Sequence, residues 1–138
     1  MHFFADTSFL VAWFNRDDER HKAALEFMRD AEMQKRRSSG VILTDYIFDE
    51  VVTTLRIQTR SHGLACQAGR VLIGSTATTI VRIGQTTFDA AWSLFEARKD
   101  KAWSFTDCTS FTVMEELGLE TALAFDDDFK RAGFATLP

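Results

Sequence analysis

Short runs that are almost wholly apolar alternate along the chain with longer stretches in which apolar residues recur every three or four positions. That pattern predicts strands alternating with helices. Residues 1–5 form the first apolar run, stopped by Asp6, and Phe9, Leu10, Ala12, Trp13 and Phe14 then suit a short buried helix with Asp6 or Ser8 near its start. Residues 18–35 place Ala24, Leu25, Phe27, Met28 and Ala31 on a helical stripe among charges, and Ser38, Ser39 and Gly40 break it. A second strand is predicted over Gly40–Thr44, followed by a helix over Asp45–Thr59 with Ile47, Val51 and Leu55 on one face and by another helix over residues 61–73. The β-branched run 78–83 predicts a third strand. Phe88, Ala91, Trp92 and Phe95 then repeat at helical spacing until the charges of residues 98–101. A further helix is expected over residues 106–117, with Phe111, Met114 and Leu117 on its stripe and Gly118 where a left-handed cap is favoured. Residues 121–125 and 134–137 complete the set as a fourth and a fifth strand.

Apolar strands separated by helices imply a parallel sheet covered on both faces, so the fold class is α/β, a single-domain α/β/α sandwich with a mostly parallel sheet of four to five strands. The chain has 138 residues, 46% of them hydrophobic, with one Pro at the very end and seven Gly. A chain of this length suits one domain spanning 1–138, with roughly 68% of the unfolded surface buried on folding and no need for staples. No apolar run approaches the roughly 20 residues of a membrane span, and Asp6 stands too early for a signal peptide. Cys66 and Cys108 form no Cys-x-x-Cys pattern, so the expectation is a reduced, cytoplasmic protein.

In a doubly wound sheet, ligands sit outside the carboxyl ends of the strands, near the point where strand order reverses. Asp6 directly follows the first predicted strand, Asp126 directly follows the fourth, Asp107 opens a helix, and Glu50 borders the apolar stripe of the helix after the second strand. Taken singly, the three aspartates are equally placed to cap helices or turns, and Glu50 suits an ordinary flank charge. Four carboxylates at one rim, however, would raise each other's pKa values unless a cation neutralised them. Hard divalent ions prefer such oxygen ligands, and ions so held can activate a water against a phosphodiester, with no Ser, Cys or His nucleophile.

The segments F-A-D-T-S-F-L around Asp6, D-E-V-V-T-T-L around Glu50, S-F-T-D-C-T-S-F around Asp107 and A-L-A-F-D-D-D-F around Asp126 together resemble the PIN domain, and more narrowly its VapC-type toxin ribonucleases. The resemblance spans nearly the whole chain. It implies that Asp6, Glu50, Asp107 and Asp126 hold Mg²⁺ or Mn²⁺ and cleave RNA endonucleolytically through a metal-activated water. It further implies a VapB-like antitoxin partner, a homodimer and no membrane. Of the three successive acids, Asp126 comes first after the apolar strand and is taken as the fourth ligand, with Asp128 a further candidate. Thr7, Ser8, Ser104 and Thr106 adjoin proposed ligands and are candidates to orient carboxylates or touch phosphate, with helix capping as the alternative. A non-catalytic PIN-like binding module and a solitary RNA-processing nuclease are the competing functional expectations.

The net charge of −4 is awkward for RNA binding, which draws its affinity from Lys and Arg on phosphates. Between Val51 and Phe88 there is no acid, while Arg56, Arg60, Arg70 and Arg82 all occur, so this segment and Lys35, Arg36 and Arg37 form the candidate phosphate-contacting surface, with Arg56 and Arg60 foremost. Gly69 and Gly74 have P-loop spacing, but Ser75 stands where the Lys is needed. His2, His21 and His62 have no metal-ligand spacing and no Cys partner, which argues against zinc. Trp92, Phe95 and Phe111 are expected in the core.

Overall fold

In a computed structural model of the chain, which describes residues 2–33 and 40–138, five strands form one parallel sheet in the order β3-β2-β1-β4-β5. The strands are β1 (His2–Ala5), β2 (Gly40–Thr44), β3 (Thr78–Val81), β4 (Thr121–Leu123) and β5 (Ala135–Leu137). The helices are α1 (Thr7–Phe14), α2 (His21–Met33), α3 (Asp45–Thr59), α4 (His62–Gly74), α5 (Gln85–Ala97), α6 (Phe105–Leu117) and the short α7 (Asp128–Arg131). The fold class expected from the apolar pattern is thus the one found. None of the described helices is long and apolar enough to cross a membrane. The tail of the stripe expected up to residue 35 and the basic trio Lys35, Arg36 and Arg37 lie outside the described residues.

After the exposed His2, strand β1 is apolar because it lies in the middle of the sheet, paired with β2 on one side and β4 on the other, with Phe4 and Ala5 fully buried. The chain moves outward from β1 to β3, then returns across β1 to β4 and β5, so the order reverses between β1 and β4. Right-handed crossovers send the connections of the two legs to opposite faces and leave a crevice at that switch point, outside the strands' carboxyl ends. Asp6 and Asp126 follow the two strands that border it.

The core joins Phe4, Phe9, Leu43, Ile47, Leu55 and Phe129, all fully buried. Helix α3 sits on it through Ile47, Val51 and Leu55, the predicted stripe. Gly69 lies in the packing of α4 on α3, where a Cβ would make ordinary contact with Phe48 Cζ at 3.4 Å, whereas Gly74 has nothing within 4 Å, so the glycine spacing that mimics a P-loop marks no common feature. Helix α6 ends at Gly118 in the left-handed region at φ 67, where its N–H meets the carbonyls of Met114 and Glu115.

Two expected burials fail. Trp92 is 48% exposed and Phe95 39%, whereas Phe111 is in the core, because α5 rests on its neighbours through Ala91 and leaves its aromatic stripe uncovered. Leu117 is likewise exposed at the last turn of α6. Strands β3 and β4 also stop short of their predicted ends. The N–H of Ile83 turns to Asp45 Oδ1 at 3.1 Å, and that of Phe125 turns to Ser8 Oγ at 3.1 Å.

Candidate active site

Asp6 is the N-cap of α1, its Oδ2 accepting from the Ser8 N–H at 3.2 Å and from Ser8 Oγ at 2.7 Å. The Ser8 hydroxyl in turn accepts the Phe125 N–H, and the Asp6 N–H donates to the Leu123 carbonyl at 2.9 Å. One serine therefore ties the exit of β1 to the exit of β4 and brings Asp126 near enough for its charge to act on Asp6. Asp6 is thus a helix cap that also feels the charge of Asp126. Its carboxyl is 3% exposed, and burial pushes its pKa up to about 8, with the Asp126 charge adding to the rise and the Ser8 bonds opposing it.

Glu50 lies in the second turn of α3, a helix started by the buried Thr44 hydroxyl, which accepts the Ile47 N–H. Thr7 Oγ1 donates to Glu50 Oε1 at 2.6 Å, so the residue next to Asp6 holds the glutamate on the same side of the crevice. Asp107 is the third residue of α6 and completes a capping box: its Oδ2 accepts the Ser104 N–H at 3.0 Å while Ser104 Oγ accepts the Asp107 N–H. Burial raises the Asp107 carboxyl to about 6; the Ser104 N–H opposes that, and the charges of Asp128 and Asp126 add to it. Asp128 is also raised, by burial and then by Asp126, and faces Arg131 at 3.7 Å.

The structure thus brings Asp6 and Asp126 together, sets Asp107 within electrostatic reach of Asp126 and Asp128, and joins Glu50 to them through Thr7. As placed, no three Asp, Glu, His or Cys side chains among the described residues stand close enough to hold a metal ion. Asp107 is engaged with its own helix cap and Glu50 with Thr7. The donor set nonetheless fits a hard cation. Its atoms are all carboxylate oxygens, Asp6 is buried, and among the described residues none of the four pairs with Lys, Arg or His. Thr106 stands within the first turn of α6, where its carbonyl accepts from Thr109 Oγ1.

A groove of about 630 Å³ opens beside Asp126, walled by Thr7, Ser8, Asn15, Arg20, Gln58 and Phe125 and by the acids Asp17, Asp18 and Glu19. Arg20 lies over the Phe125 ring, 5.6 Å from its centroid. Arg20, Asn15 and Gln58 went unread in the sequence, since none belongs to the four acidic segments and only folding brings α1 and α3 together. Arg56 and Arg60 do not line this groove. Thr54 and Gln58 face it, and a residue two positions from each along a helix points the opposite way. Arg56 and Arg70 instead line an apolar groove between α3 and α4, and Arg60 caps the end of α3 in the left-handed region. His62 does have a thiol neighbour, Cys66 Sγ at 3.4 Å one turn along α4, but two ligands do not make a zinc site.

The fold gathers carboxylates at the switch point of a doubly wound parallel sheet, and the PIN-domain family model matches residues 3–135. The chain belongs to the PIN-domain family. It is 32% identical over 134 residues to the 23S rRNA-specific endonuclease VapC20 of Mycobacterium tuberculosis, covering 95% of this chain and 94% of that protein. The crystal structure of Mycobacterium tuberculosis VapC20, described as a sarcin–ricin loop cleaving toxin, superposes with a TM-score of 0.82 at 29% identity over 96% of each chain.

The elevated Asp6 carboxyl sets a pH dependence. In chelator, the folded protein will lose stability relative to Asp6→Asn as pH rises from about 4 to about 8. Across that window the unfolded chain, with an ordinary value of 3.8, has released a proton that folded Asp6 keeps. Below the window both states hold the proton; above it neither does and the difference levels off. Urea midpoints of the two proteins across this range test it, and a difference that grows with the opposite sign would refute the assignment.

Proposed function

We propose that this chain is a Mg²⁺- or Mn²⁺-dependent endoribonuclease and the toxin of a VapBC-type pair, with Asp6, Glu50, Asp107 and Asp126 as the metal-holding set and Asp128 in support. The observation that carries this is the Asp6 and Asp126 pair, side by side at the switch point and without a cation partner among the described residues. A bound divalent ion supplies an activated water and the charge that stabilises the departing oxygen.

The chain's own residues do the rest. Ser8 fixes the Asp6 carboxylate and the turn that carries Asp126, Thr7 orients Glu50, and Ser104 holds Asp107 at the start of α6. Asn15, Gln58 and Arg20 offer the phosphodiester and sugar donors along the groove, with Arg20 steadied on Phe125. The substrate proposed first is a structured ribosomal RNA loop of the kind cut by the mycobacterial relative. The partners proposed are a VapB-like antitoxin and a second copy of the chain, in the cytoplasm.

Purified protein incubated with a sarcin–ricin hairpin RNA and Mn²⁺ is expected to make a discrete cut that excess chelator abolishes. Cleavage of equal rate in chelator would overturn the mechanism. The capping box that occupies Asp107 favours the competing non-catalytic module, and calorimetric Mn²⁺ titration separates the two. A docking module would give no saturable heat, whereas the nuclease site would give heat that disappears in Asp6→Asn.

A further inference from the structure

The aromatic stripe left bare on α5 has a chemistry of its own. Trp92 and Phe95 stack with ring centroids 5.6 Å apart and planes 21° from parallel, and both rings are more than a third exposed. Phe105, at the start of α6, props them edge-on at 6.2 and 6.3 Å. Beside them opens a cleft of about 400 Å³ bounded by Trp92, Phe95 and Trp103, by the cations Arg98, Lys99 and Lys101, and by one acid, Glu96. Such a volume suits one small planar ligand.

Three features of the cleft favour a nucleotide over an apolar partner. Its rim is cationic: Arg98 sits over the Trp103 ring at 5.1 Å and is braced by Asp100 at 3.0 Å, while Lys99 and Lys101 pair with no acid among the described residues. Its wall holds a buried donor without an acceptor, the indole N–H of Trp103, a residue only 7% exposed. An unmatched buried donor is costly unless a ligand meets it. Its place is the third: Cys108 lines the cleft and adjoins Asp107, and Trp103 adjoins the capping residue Ser104, so one short segment forms both the cleft wall and part of the acidic site.

We propose that this cleft is a nucleotide subsite of the RNA substrate, in which an unpaired base stacks on Trp92 and the flanking phosphates meet Lys99 and Lys101. Sequence-tolerant stacking on exposed aromatics with cations along the backbone is how unpaired RNA is held. It eases the charge problem locally, since the chain is acidic overall yet offers Lys99 and Lys101 beside this stack against the single lining acid Glu96, with Arg98 balanced by Asp100. The subsite rests on the ribonuclease assignment and adds to it a contact outside the acidic groove.

The test uses the full chain with a fluorescein-labelled twelve-nucleotide single-stranded RNA in chelator for binding, and the Mn²⁺-dependent cleavage assay for turnover. Trp92→Ala is expected to weaken binding about ten-fold and to raise KM with kcat little changed, while Trp92→Phe keeps most of the affinity. Lys99→Gln and Lys101→Gln should each lower the salt dependence of binding by about one phosphate contact. Parent-like binding and KM in Trp92→Ala would overturn the subsite and leave the nuclease assignment standing. Absence of any Mn²⁺-dependent cleavage by the parent, with Trp92-dependent RNA binding intact, would overturn the nuclease assignment instead. Light scattering supplies the third outcome: if Trp92→Ala turns a dimer into a monomer and leaves RNA affinity unchanged, the stripe covers a second copy of the chain and the proposal fails.

Discussion

Asp6→Asn will slow RNA cleavage by about a thousand-fold or more and, in chelator near neutral pH, will make the protein harder to unfold. Both effects come from one atom exchange. A carboxylate that helps hold a catalytic cation contributes several kcal/mol to the transition state, and about 4 kcal/mol is a thousand-fold in rate. The same carboxylate is buried against Asp126, and that raises its pKa to about 8, so its ionised form is a liability to the empty fold. Asparagine keeps an N-cap oxygen for the Ser8 N–H while removing the charge. Single-turnover cleavage with Mn²⁺ and urea unfolding with chelator measure the two halves separately. A variant that lost activity by misfolding would lose stability as well, and a variant that cut RNA normally would remove Asp6 from the site.

Phe129→Ala will cost about 3–5 kcal/mol of folding stability, a large share of the roughly 5–15 kcal/mol that a domain of this kind possesses. Phe129 is fully buried, with its ring 5.0 Å from Phe111 and 6.0 Å from Phe4, so it joins α7, α6 and β1 at one point. Nothing nearby can close over the void without moving the sheet. The loss reaches the chemistry too, because α7 begins at Asp128 and holds the Asp126 to Asp128 turn in place. Thermal and urea unfolding should both show the drop, and Mn²⁺-dependent cleavage should fall even at temperatures where the variant remains folded. A loss under 1 kcal/mol would mean that the aromatic cluster is not what anchors that turn.

Much of this architecture was legible in the chain because its signals are local. The apolar run 1–5 with Asp6 after it, the Ile47, Val51 and Leu55 stripe, and Gly118 past the end of α6 each specify their own element. What failed needed knowledge of neighbours. The spacing of Phe88, Ala91, Trp92 and Phe95 shows that one face of α5 is apolar, but periodicity does not say whether anything lies against that face. Only Ala91 turned out to be buried. Helix α7 has four residues, too few to display a period. The acids are readable from four local segments, yet the groove residues Asn15 and Arg20 come from the connection between α1 and α2 and Gln58 from α3, two stretches that share no motif. Charge counted along the sequence points to Arg56 and Arg60, but a helix aims successive residues in different directions.

The Ser8 hydroxyl, clasped by both Asp6 and the backbone of Phe125, joins two segments more than a hundred residues apart in sequence. Asp6 and Asp126 therefore meet only when β4 has taken its place beside the central strand. Neither segment carries the carboxylate pair alone, so the pair assembles and disperses with the sheet itself. Loosening of β4 would part the acids before the rest of the fold gives way.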